Sequence, residues 1–109
     1  MMTELFDKYT TKEGAGVYGL YCAATNKWYI GASKQMVRRI KDHFYFMRNW
    51  EGAMSKDYHR YGEESIPAYI LERVDDLSTL DAREVFYFDN LNGYKGYNTQ
   101  YPGQNRHWK

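Results

Sequence analysis

Several things are scarce in this chain. It has one cysteine, Cys22, among 109 residues, which excludes a disulfide framework and a cysteine-built zinc site and fits a reducing, cytoplasmic setting. Of its two prolines, Pro67 stands just ahead of the apolar run AYILERV, where a strand needs no ladder N–H. No apolar run approaches the roughly 20 residues that cross a bilayer, and the opening MMTELFDKYTTKEGA has no signal-peptide core. A membrane partner is therefore not expected. No serine or cysteine sits in a nucleophile motif, so acyl transfer fits poorly. A net charge of only +1 gives no footprint for a polyanion in the total.

What is abundant is the phenol. Aromatic residues make up 18%, with 12 tyrosines against 5 phenylalanines. Most of these serve as large apolar groups in a modest single-domain core, but each also carries a hydroxyl able to donate, accept or relay a proton. Charge is unevenly placed. Residues 34–48 hold Lys34, Arg38, Arg39, Lys41 and Arg48 against Asp42, whereas residues 51–84 hold four basic and nine acidic residues. One side of the molecule is thus suited to an anion.

The periodicities predict six elements. GVYGLYCA (16–23) and WYIGA (28–32) read as strands around a polar turn, and Ser33 as the N-cap of a helix over 34–48 with Val37, Ile40, Phe44 and Met47 at helical spacing. A short helix near 54–61 ends at Gly62, a third strand covers 68–74, and Ser78 with Asp81 forms a capping box for a last helix to about 91. The order β-β-α-α-β-α implies a small α/β fold, a three-stranded mixed or antiparallel sheet flanked by helices.

Some residues break these patterns. In the last helix Glu84 projects between Leu80 and Leu91 on the apolar face, where a carboxylate is costly unless paired with a cation, hydrogen-bonded or metal-bound. In the first helix Arg39 and His43 stack one turn apart beside the apolar stripe; a plain helix flank would also place them there. In the hairpin, Tyr18 precedes Gly19 and Tyr29 lies two residues before Gly31, as if each glycine left room for a phosphate or water beside a phenol. Two phenols, a guanidinium, an imidazole and a buried carboxylate together suit phosphodiester hydrolysis.

These residues resemble the GIY-YIG nucleases. Gly16-Val17-Tyr18 stands for the first motif with valine in place of isoleucine, and Tyr29-Ile30-Gly31 matches the second. Arg39 and His43 match the family's helix pair, Glu84 within AREVFYF its glutamate, and Gly96-Tyr97-Asn98 its closing motif. The likeness runs over 16–98 and is strongest to the catalytic module of phage and intron homing endonucleases. It implies an arm at 1–15, a catalytic domain at 16–98 and a tail at 99–109, in a bacterial or phage-encoded protein.

It further implies a metal-dependent DNA endonuclease using one metal ion, with Glu84 holding Mg²⁺ or Mn²⁺. Tyr18 would be the general base or a proton relay to water, helped by His43 and more weakly by Lys34. Arg39 would hold the scissile phosphate, Tyr29 would position it or assist proton transfer, and Asn98 would brace the site. Gly31, Lys34, Arg38, Arg39, Lys41 and Arg48 are the expected DNA contacts, with the arm at 1–15 and Arg106, His107 and Lys109 as further candidates. Homing enzymes carry a DNA-recognition region after this module, which leaves three expectations here: a free-standing small nuclease, a catalytic fragment of a longer protein, or specificity supplied by a partner protein. The alternative is a nucleic-acid-binding module that keeps the fold without cleaving; the presence of every catalytic residue type favours cleavage.

Overall fold

Alternation along GVYGLYC and KWYIGAS builds the hairpin at the centre of the fold, β2 (Gly16–Cys22) and β3 (Lys27–Ser33), in the computed structural model, which describes residues 3–99. Tyr18 pairs with Gly31 and Leu20 with Tyr29 across it. Asn26 turns the chain with φ 55°, a left-handed conformation asparagine tolerates. Helices α1 (Met36–Asn49) and α2 (Ala53–Tyr61) follow, then β4 (Ala68–Arg73) and α3 (Leu80–Asn90).

The sheet has four strands rather than three. Glu4–Leu5, in the segment expected to be a loose arm, forms β1 and pairs with Tyr69 and Ile70 of β4. The order is β1-β4-β2-β3, and every pairing is antiparallel. Two residues are too few for a period-2 signal, so β1 depends on the β4 edge for its existence.

Because successive strand residues point to opposite faces, the sheet separates two cores. Tyr18, Leu20, Cys22 and Ile70 pack under α1 and α2 with Ile40 and Met47. Val17, Ile30, Leu71 and Leu80 pack under α3 with Phe88. Each wholly buried aliphatic among these, such as Leu20 or Ile40, contributes about 1.5–3 kcal/mol over exposure. The β2–β4 register shifts between Val17 and Tyr18, which face Glu72 and Ile70. This bulge beside Tyr18 is the kind of irregularity that re-aims a side chain.

Two helix starts differ from expectation. Ser33 is the last residue of β3, and Gln35 occupies the cap of α1 without a side-chain bond. The orphan amides at that helix end are met instead by the arm: Met36 N donates to Gly14 O at 2.9 Å, and the Glu13 carboxylate accepts from Val37 N and Arg38 N at 2.8 and 3.0 Å. Partial burial pushes the Glu13 carboxyl up, but the amides and Lys41 outweigh it and hold it low. Before α3, Asp76 rather than Ser78 is the capping side chain; it accepts from Ser78 N at 3.0 Å and leads a 3₁₀ turn, Leu77–Thr79, into the helix. No described helix is long and apolar enough to cross a membrane.

Candidate active site

Strand β2 delivers Tyr18 to the underside of α1, and α1 delivers His43 back to it. The Tyr18 hydroxyl lies 2.8 Å from His43 Nε2. On its other side the imidazole meets Tyr29 of β3, ring centroids 4.7 Å apart, so His43 sits between the two phenols. Arg39, one turn before His43, reaches the same cluster: its charge acts on both Tyr18 and His43. It is engaged otherwise by Asp42 at 3.8 Å, with its side chain 47% exposed, a surface pair of small energetic weight.

Burial sets the protonation states. Loss of solvent above all, then Arg39 and against the pull of Asp42, lowers the His43 pKa to about 4. The ring is therefore neutral at pH 7, and in its Nδ1–H tautomer Nε2 accepts from the Tyr18 hydroxyl. Burial, then the neighbouring Tyr29 and the Glu84 carboxylate, push the Tyr18 phenol far above its ordinary range, with Arg39 opposing. A linkage consequence follows. An unfolded chain protonates this histidine near 6.5 and the folded chain only near about 4. The contribution of neutral His43 to stability is thus complete above pH 6.5 and is lost as pH falls toward 4. Thermal melts across that window should drop for the parent and flatten for His43→Asn.

Glu84 lies where the helical pattern put it, on the sheet-facing side of α3 with Leu80, Tyr87 and Phe88, and is 0% exposed. Its charge reaches the Tyr18 phenol. The adjacent Arg83 is committed elsewhere, to Glu72 at 2.7 Å, and Tyr87 donates to that same carboxylate at 2.9 Å. Among the described residues no three His, Cys, Asp or Glu side chains form a metal cage. A buried carboxylate of this kind supplies the oxygen ligand that suits a hard cation such as Mg²⁺, which keeps most of its waters.

Asn98 is a brace. Its side-chain oxygen accepts from Ile30 N at 2.8 Å and its amide donates to Ile30 O at 2.7 Å, while Tyr97 N donates to Trp28 O at 2.9 Å. The closing segment thus occupies the outer edge of β3. Gly96 is required there because a Cβ would run into the Trp28 backbone. The Tyr97 hydroxyl, donating to Asp57 at 2.6 Å, ties the segment to α2.

The glycines have a different purpose from the one expected. A Cβ on Gly31 would lie 2.6 Å from Tyr18 Cζ and Oη, and one on Gly19 would lie 2.7 Å from the Trp28 ring. The space over Gly31 is filled by the Tyr18 phenol itself, so Gly31 seats that ring and offers no opening for a phosphate. Gly19 faces the other core. Lys34, Arg38, Lys41 and Arg48 are exposed, with Arg38, Lys41 and Arg48 along the outer stripe of α1, and do not join the cluster. Arg106, His107 and Lys109 lie outside the described residues. The Glu13 cap and the α2 contact of Tyr97 are long-range partnerships with no local sequence signal.

A hairpin tyrosine pair thus faces a helical Arg/His pair, with a glutamate on the opposite helix and an asparagine clasp on the edge of β3. The chain belongs to the GIY-YIG family: the model of the GIY-YIG catalytic domain matches residues 14–98. It is accordingly an enzyme of the endonuclease class. Among solved structures it is similar to the catalytic domain of the homing endonuclease I-TevI, with 24% identity, a TM-score of 0.66, and coverage of 79% of this chain and 98% of that one. A mutant of the I-TevI catalytic domain gives 22% identity and a TM-score of 0.67, over 87% and 98% of the two chains. No curated protein matches at comparable significance.

Proposed function

We propose that this chain is a metal-dependent DNA endonuclease in which Tyr18 acts as a proton relay. The observation that carries this is the 2.8 Å contact between the Tyr18 hydroxyl and a neutral His43 Nε2. A phenol held so far above its ordinary pKa is no phenolate at pH 7. It works as a base only if its proton has somewhere to go. As water attacks phosphorus, its proton passes to Tyr18 Oη while the Tyr18 proton passes to His43 Nε2. The P–O bond to the leaving strand breaks, and that oxygen takes a proton from solvent.

Arg39 would hold the phosphate and meet the charge that grows on it, with a planar fork suited to two oxygens. Tyr29, across the imidazole from Tyr18, positions that phosphate. Glu84 would hold Mg²⁺ or Mn²⁺, whose chemistry is charge neutralisation at the phosphate and acidification of bound water. Lys34, Arg38, Lys41 and Arg48 would guide the DNA backbone along α1.

Plasmid DNA incubated with the protein tests this directly: nicked or linear product should form with Mg²⁺ and not with EDTA. Arg39→Ala should lower the single-turnover rate on the order of 10²–10³-fold, the range for losing one preorganised charge-stabilising group. A rate unchanged in that variant would return Arg39 to an ordinary helix flank.

A further inference from the structure

Helix α1 continues past the catalytic pair into aromatic surface. From His43, Phe46 follows three residues on along the helix, and Trp50 is the residue that ends it. Trp50 stands about 10 Å beyond His43 along the axis. Phe46 is 45% exposed and Trp50 62%, and their rings meet edge to face with centroids 5.8 Å apart. The Ser55 hydroxyl, 2.7 Å from Met47 O and 2.5 Å from Trp50 O, fixes the turn that carries Trp50. Contiguous exposed rings on a rigid turn mark a binding surface.

These rings border a recess of about 260 Å³ whose wall includes Tyr29 and His43. Recess and catalytic cluster are therefore continuous. The recess and the phosphate position differ in charge, however. The described lining of the recess holds one carboxylate, Glu51, and no lysine or arginine, and His43 is neutral. A phosphate gains nothing there, whereas a flat uncharged ring does. Arg39 lies on the other side of His43. A nucleotide straddling His43 would direct its phosphate toward Arg39 and its base toward Phe46 and Trp50.

Resting on the endonuclease reading above, we propose that this recess receives one nucleobase, unstacked from its neighbours, next to the cleaved phosphate. The substrate is then DNA with unpaired nucleotides at the cleavage position. A base inside a duplex is covered on both faces, so it reaches Trp50 only where the strand is single or the base has turned out. Glu51 at the rim accepts from the amino edge of cytosine or adenine.

The test compares a fully paired duplex with the same duplex interrupted by a short unpaired stretch carrying 2-aminopurine. Binding is measured in EDTA and cleavage with Mg²⁺. The interrupted DNA should bind about tenfold more tightly, the scale of one base–aromatic stack, with quenching of the 2-aminopurine. Trp50→Ala should lose that preference and the quenching, and Trp50→Phe should keep most of both, which separates stacking from misfolding. Tyr94→Ala, equally exposed at 62% but outside the recess, should behave like the parent. Equal binding of both DNAs by the parent, or a preference that survives Trp50→Ala, overturns the base site and leaves metal-dependent cleavage standing. Failure to cut either DNA with Mg²⁺ removes the endonuclease reading and the base site together.

Discussion

Glu84→Gln should stop Mg²⁺-dependent cleavage while the protein keeps its fold. Glutamine has the same shape and fills the same space between Leu80, Tyr87 and Phe88, so packing of α3 on the sheet is retained. What it lacks is the anionic oxygen that a hard cation requires. A metal ion at a transferring phosphate supplies several kcal/mol, so the rate should fall on the order of 10³-fold or more. A second readout does not depend on catalysis. A cation that binds only the native state raises the melting temperature; Mn²⁺ should do so for the parent and not for Glu84→Gln. Near-normal activity in this variant would mean that Glu84 holds no essential metal.

Tyr18→Phe should reduce cleavage by 10²–10⁴-fold, the usual contribution of general acid–base assistance, so an effect of about that size is expected. The ring still fills the space over Gly31, and the lost hydrogen bond to His43 costs about 0.5–1.5 kcal/mol of stability. Activity should therefore fall far more than stability. Tyr21→Phe is the control. Tyr21 lies on the opposite sheet face, against Trp28, and its hydroxyl only donates to Asn26 in the exposed turn at 2.8 Å. That variant should cut normally. If both cut like the parent, the relay does not exist.

Periodicity made the larger elements readable from sequence: β2, β3, α1, α2, β4 and α3 all carry enough residues for a pattern. Glu84 was legible because a carboxylate on an apolar helical face contradicts its surroundings. Arg39 and His43 were legible only as a pair, since each alone would pass for a flank residue. What escaped depends on partners far away in the chain. Strand β1 exists through β4, and α1 is capped by Glu13, which precedes it by more than twenty residues. The protonation of His43 was equally hidden, because burial under two phenols, invisible in sequence, overrides the ordinary imidazole value. The strand glycines do mark close approach, but what fills the space above them is a ring from the neighbouring strand, Tyr18 over Gly31 and Trp28 over Gly19, and a sequence pattern does not say which group comes near.

The clasp on β3 has a consequence for how the protein can fail. β3 is the last strand on its side of the sheet, and an uncovered outer strand is a template for another chain. Asn98 and Tyr97 cap it by imitating a neighbouring strand at Ile30 and Trp28. Tyr29, between those two positions, belongs to the candidate site. Loosening the clasp would thus free a sticky edge and loosen a site residue in one event. A damaged Asn98 would announce itself by self-association, visible in light scattering, as well as by slower cutting.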